Sequence, residues 1–134
     1  MVPCRRRRAL SRRTLQEIGG GFGERRCRGG GPGGRAGEPG AGHTTGHAMM
    51  RLASEGVRAY FTGDAFHHPV QFTQPELHLP GCDDLATAIE TRRSLVRRLQ
   101  EEAAFVLPAH FPSPHYGRLG LDGSEVCFLP GGAT

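Results

Sequence analysis

The sequence predicts an α/β half-domain over residues 41–134, one sheet with one helix, behind a Gly- and Arg-rich head over residues 1–40. Three observations point there. Composition changes abruptly near residue 40, short apolar runs separated by turn residues follow it, and residues 83–103 repeat apolar side chains at helical spacing.

The head has little to bury. Residues 1–40 hold ten of the 17 basic residues and three of the 13 acidic ones, a net charge of +7, whereas residues 41–134 carry −3. Residues 19–40 contain eleven glycines and two prolines, with Phe22 their one large apolar side chain, so burial cannot offset the entropy of ordering and disorder is expected. Every basic residue is Arg and none is Lys, a bias that a G- and C-rich coding sequence explains more simply than selection for charge. Without interleaved aromatics it makes no nucleic-acid surface. Ser11-Arg12-Arg13-Thr14-Leu15 has the form of a twin-arginine export signal, but Gln16-Glu17-Ile18-Gly19 follows where an apolar core should stand. Acidic residues and the lack of an amphipathic run argue against a mitochondrial transit peptide. No apolar stretch is long enough to span a bilayer, so no membrane partner is expected. The expectation is a cytoplasmic protein with Cys4, Cys27, Cys82 and Cys127 as free thiols and Cys127 buried.

Within the half-domain, residues 48–53 and 57–61 are apolar-rich runs separated by Ser54-Glu55-Gly56, a turn of hairpin length, so two antiparallel strands are predicted. Residues 65–82 are irregular, broken by Pro69, Pro75, Pro80 and Gly81. Asp83 can cap a helix running to about Ala103, whose inner stripe is Leu85, Ile89, Val96, Leu99 and Ala103 with Ala88 and Leu95 beside it. Glu90, Arg93, Arg97, Arg98 and Glu101 form its solvated face, with Arg97 and Glu101 paired across one turn. Residues 105–107 read as a buried strand that delivers His110. Residues 118–121 and 125–129 read as a closing hairpin across Asp122-Gly123.

Chemistry concentrates at three places. Gly42-His43-Thr44-Thr45-Gly46-His47, Phe61-Thr62-Gly63-Asp64 and Leu107-Pro108-Ala109-His110 each put a metal donor where an apolar segment hands over to a loop. Imidazole nitrogen and carboxylate oxygen bind divalent transition metals and leave a metal-bound water acidic enough to become hydroxide near neutral pH. Taken singly, a Gly-Asp is more often a strand-end cap, and a turn or strand-end histidine is more often satisfied by backbone; three in one chain favour ligands. His47 is placed behind the turn, orienting it by hydrogen bonding. His67 and His68 fall at the pocket mouth, and Phe66, Phe72 and Phe111 would supply its apolar walls, with ordinary core packing as their alternative.

In order and spacing, these motifs resemble the C-terminal half of a metallo-β-lactamase-fold hydrolase, of the broad group that includes lactonases and organophosphate hydrolases. The resemblance covers residues 41–129, with three separated motifs. It implies half of an αββα sandwich. It further implies His43 as a ligand from the Gly-His-x-x-Gly-His turn, Asp64 as the carboxylate bridging two metals and the catalytic residue, and His110 as the late ligand. One or two divalent metals, taken as Zn2+, a small-molecule ester, lactone or phosphoester as substrate, and a pocket loop at His115 follow from the same likeness.

The family's His-x-His-x-Asp-His motif, carried in its N-terminal half, does not occur in this chain. His43, Asp64 and His110 give each of two metals at most two protein ligands, one fewer than the usual minimum of about three, so little turnover is expected from the chain alone. The resemblance also implies an apolar strand leading into the turn, where this chain has Gly33-Gly34-Arg35-Ala36-Gly37-Glu38-Pro39-Gly40. That break suggests a shifted reading frame, a mispredicted start or a truncation. A half-fold would leave an apolar sheet face exposed. Two readings follow: a hydrolase represented by its C-terminal half, and a non-catalytic remnant that binds metal weakly or not at all.

Overall fold

A computed structural model describes residues 34–131. The disorder expected for residues 1–33, with Cys4 and Cys27, lies outside the described residues. Six strands form one sheet in chain order: β1 (Gly34–Pro39), β2 (Ala48–Ser54), β3 (Val57–Gly63), β4 (Phe105–Pro108), β5 (Gly117–Asp122) and β6 (Glu125–Pro130). β3 and β4 are parallel, and every other neighbouring pair is antiparallel. A parallel pair needs a crossover, which here contains a short 3-10 turn, Pro69–Phe72, and one helix, α1 (Leu85–Glu101).

β1 corrects the expected boundary at residue 41, which moves back to Gly34 at the latest. It pairs with β2 residue by residue, from Gly34↔Ala53 to Pro39↔Ala48. An edge strand is held by its ladder hydrogen bonds, so Gly-rich sequence is admitted there and Pro39 is tolerated. Glu38 adds an ion pair to Arg98 of α1.

Both predicted hairpins form. Glu55 and Gly56, with φ of +49° and +76°, make the two-residue loop between β2 and β3, a backbone sense that matches the twist of the flanking strands. α1 starts one residue later than predicted, because Asp84 rather than Asp83 caps it, accepting from the Thr87 N–H at 3.0 Å. Asp83 instead takes the Thr45 N–H at 2.7 Å. The helix ends at Glu101, short of Ala103, which has φ +46°. The N–H groups of Ala103 and Ala104 then bond the carbonyls of Gln100 and Leu99, closing the last turn. Arg97 pairs with Glu90 at 3.4 Å rather than with Glu101, and both side chains are exposed.

α1 and the 3-10 turn cover one face of the sheet. Tyr60, Phe66, Phe72, Leu95, Leu99, Val106 and Phe111 form the core between them, each large apolar side chain contributing roughly 1.5–3 kcal/mol of burial. On the opposite face, register aligns Met50, Phe61 and Leu107 in one row and Leu52, Ala59 and Phe105 in the next. Met50, Leu52, Phe61 and Leu107 are half-buried there. The Arg118 guanidinium carbon lies 3.9 Å from the Phe105 ring centroid. Cys127, expected to be buried, is half-buried on β6. Among the described residues no helix is long and apolar enough to cross a membrane.

Candidate metal centre

Strand direction carries the three motifs to one edge. β3 and β4 are parallel, so Asp64, directly after β3, and His110, just after β4, emerge on the same side. β2 is antiparallel to β3, so the turn that precedes it, with His43, lies there as well. Polar groups at strand ends are free to point into a loop-lined crevice.

The His43 turn is docked on the start of α1. The carbonyls of Gly42 and His43 accept from the N–H groups of Asp84 and Asp83 at 3.0 and 2.9 Å, and Thr91 Oγ1 donates to Ala41 O at 2.9 Å. The approach is close enough to require glycine: at Gly42, φ is +108°, and a Cβ would stand 2.1 Å from the Ala88 nitrogen. His47 braces the other side. Its Nδ1 lies 2.7 Å from Gly40 O and its Nε2 accepts the Asp64 N–H at 3.2 Å, so the ring ties the end of β1 to the end of β3.

Asp64 is the centre of the cluster. His110 Nε2 lies 2.8 Å from Asp64 Oδ1, and His43 Nε2 lies 3.8 Å from Asp64 Oδ2. His67 closes the group: its ring stacks on His110 at 4.7 Å between centroids and 8° between planes, and tilts against His43 at 5.2 Å. Burial, followed by the neighbouring His110 and His43, pushes the His67 pKa below the usual histidine value and favours the neutral ring that a metal ligand requires. Cys82 Sγ stands 3.7 Å from His43 Nδ1, behind the ring.

The segment after Asp64 is held by a side chain that the sequence reading passed over. Arg92 lies on the buried stripe of α1 and is 1% exposed. Its Nε donates to Ala65 O at 2.7 Å and its Nη1 to Pro75 O and Leu77 O at 2.9 and 3.2 Å. Buried Gln71 accepts the N–H groups of His67 and His68 at 2.6 and 3.1 Å and donates to Leu77 O at 2.7 Å. Spacing could have flagged Arg92, since positions 88, 92, 95, 96 and 99 share one helical face.

Among the described residues, the side chains that converge on Asp64 are therefore His43, His67 and His110. His68 does not join them. Its Nδ1 accepts the Val70 N–H at 3.2 Å and caps the 3-10 turn. His115 bonds Phe111 O through Nδ1 at 2.7 Å, outside the cluster. Phe66, Phe72 and Phe111 are core rather than pocket wall: Phe72 packs on Phe66 and Phe111 at 4.5 and 5.7 Å, and all three are buried.

The donor set fits a divalent transition metal. Asp64, His67 and His110 each offer one ligand atom, all within 4.8 Å of one another, and imidazole with carboxylate is the chemistry that Zn2+ and its neighbours accept. The His67 Nδ1 is buried with no hydrogen-bond partner among the described residues, so the cluster contains a polar atom whose bonding is incomplete.

Comparison with known proteins agrees. The profile of the metallo-beta-lactamase superfamily matches residues 10–110, beginning well inside the Arg-rich head. A solved structure of AidC, a dizinc quorum-quenching lactonase in complex with a product, is similar at 22% identity and a TM-score of 0.64, over 72% of this chain and 33% of that one. The hydrolase AbOPH of the beta lactamase superfamily is similar at 31% identity and a TM-score of 0.61, over 68% of this chain and 32% of that one. The chain thus spans about a third of the length of each. No curated protein matches it. On the superfamily profile, the matching fold and three motifs meeting at one sheet edge, the chain belongs to the metallo-beta-lactamase superfamily.

Proposed function

We propose that this chain carries the metal-dependent hydrolase chemistry of its superfamily, acting on a small-molecule ester, lactone or phosphoester with His43, Asp64 and His110 as metal ligands. The observation that carries this reading is the position of Asp64, one carboxylate oxygen facing His43 and the other facing His110. The lactonase among its structural neighbours is a dizinc protein, which favours Zn2+ and a lactone.

A divalent metal bound there supplies an acidic water and a Lewis acid for the substrate oxygen. The chain's own residues do the rest. Asp64 presents two oxygens to the two sides of the cluster and is held in that pose through its N–H by His47. His43 is fixed by the docked turn, and half-exposed His110 leaves the outer side open to substrate. Arg92 and Gln71 fix the floor beneath His67.

The test is an assay of the Zn2+- or Co2+-loaded chain on an acyl lactone and an aryl phosphotriester. Slow turnover that a chelator abolishes and that Asp64→Ala lacks is expected, well below that of a complete two-metal enzyme. Turnover unaffected by either treatment would overturn the proposal. Metal binding with no turnover would favour the second reading, a non-catalytic remnant.

A further inference from the structure

Among the described residues, large apolar side chains are exposed at Leu77, Leu79 and Leu121, and the first two share one loop beside the Asp64 cluster. Leu77 and Leu79 are 46% and 57% exposed on the segment between the 3-10 turn and α1. Leu121 stands apart, because β5 runs antiparallel to β4 and carries it away from the edge where His110 emerges. We propose that Leu77 and Leu79 form an aliphatic ledge that takes a saturated acyl chain, so that the site selects an acyl ester or acyl lactone over an aryl phosphoester. Resting on the reading of the Asp64 cluster as a hydrolytic site, this assignment narrows its substrate class.

Position is the first observation behind it. Gln71 accepts the His67 N–H at 2.6 Å and donates to Leu77 O at 2.7 Å, so one buried amide bridges the two backbones. Further along the same segment, Cys82 Sγ stands 3.7 Å from His43 Nδ1, and the Asp83 N–H donates to His43 O at 2.9 Å. The two leucines therefore lie on the span of chain that links the surroundings of His67 to those of His43.

Their backbone is also held. Arg92 Nη1 donates to Pro75 O and Leu77 O at 2.9 and 3.2 Å, the Leu77 N–H donates to Gln74 O at 3.1 Å, and Glu76 pairs with Arg93. His78, between the leucines, turns back on its own segment, with Nδ1 3.3 Å from Glu76 O. An anchored loop loses little freedom when a ligand settles on it, so covering its apolar side chains adds affinity at a small ordering cost. That surface is aliphatic. Phe66, Phe72 and Phe111 are buried in the core and offer no ring face on which an aryl group could stack.

The Zn2+-loaded full chain is titrated by calorimetry with straight-chain carboxylates from butanoate to decanoate, and with benzoate. Affinity is expected to rise about twofold or more with each added methylene, against roughly fourfold for complete burial, and benzoate to bind no better than hexanoate. Leu77→Ser combined with Leu79→Ser should flatten the rise and leave butanoate unaffected, since the bonds to Gln71 and Arg92 use the backbone. Leu121→Ser should keep the rise. Thermal unfolding shows whether the double variant folds; should it not, NMR magnetisation transfer from the decanoate methyl to the methyl groups of Leu77 and Leu79 in the wild-type chain decides, and its absence overturns the inference. Affinity independent of chain length, a rise that the double variant retains, or no binding of any carboxylate overturns it as well. Chelator-sensitive turnover, measured separately, decides the proposed function, so the two can fail independently.

Discussion

The ring of His47 joins Gly40 to Asp64, with Nδ1 at 2.7 Å from the Gly40 carbonyl and Nε2 at 3.2 Å from the Asp64 nitrogen. A backbone N–H can only donate, so Nε2 accepts and the proton stands on Nδ1, which donates to Gly40. His47 thereby sets where the Asp64 carboxylate begins. His47→Ala is expected to lower Zn2+ affinity by about 10- to 100-fold, the usual cost of removing a group that orients a ligand. Calorimetric titration of the folded variant checks it. An affinity equal to that of the wild-type chain would show that Asp64 needs no such brace.

Glycine positions separate close contact from backbone strain. At Gly42 an added Cβ would meet the Ala88 backbone at 2.1 Å with φ at +108°, so Gly42→Ala should cost about 3 kcal/mol or more and detach the His43 turn from α1. At Gly56, φ is +76° but nothing lies within 4 Å, so Gly56→Ala should cost only about 1 kcal/mol. Urea unfolding of the two variants decides, and equal losses would mean that strain alone matters at both positions.

How much of this was legible beforehand depended on which interactions fix each element. The hairpins and the α1 stripe follow from periodicity and turn chemistry, and Asp64 and His110 could be placed at strand ends for the same reason. β1 was not legible, because Gly34–Pro39 owes its state to pairing with β2 and its own side chains say little. The sequence placed the helix cap at Asp83, but the docked turn claims that carboxylate and the cap falls to Asp84. His67 could be named as a pocket residue only, since its approach to His110 depends on the path that Arg92 and Gln71 impose on the loop.

Arg92 should behave as a scaffold cation. Arg92→Met keeps the apolar stem but leaves the carbonyls of Ala65, Pro75 and Leu77 without their donors, at a cost of roughly 2 kcal/mol or more. Arg92→Lys restores one donor of three and should recover only part of the loss, because an ammonium cannot reproduce the guanidinium fork. Chemical denaturation measures both; full rescue by Lys would mean that charge, not geometry, holds the loop.

The last prediction concerns acid. The His67 pKa lies below the usual histidine value, chiefly through burial and then through His110 and His43, so the folded chain binds a proton at this ring less readily than the unfolded chain does. Stability therefore rises with pH across this window. Above the ordinary histidine pKa, near 6.5, both states carry neutral His67 and the ring imposes no penalty. As pH falls through that value the unfolded chain takes up the proton first, and stability is lost until the lower folded pKa is passed, after which the penalty is constant. In the metal-free chain, the unfolding midpoint measured from pH 8 downward should begin to fall near the ordinary histidine pKa, and His67→Gln should show a shallower fall over the same range. Parallel curves for the two proteins would assign the acid sensitivity to other groups and remove His67 from the account.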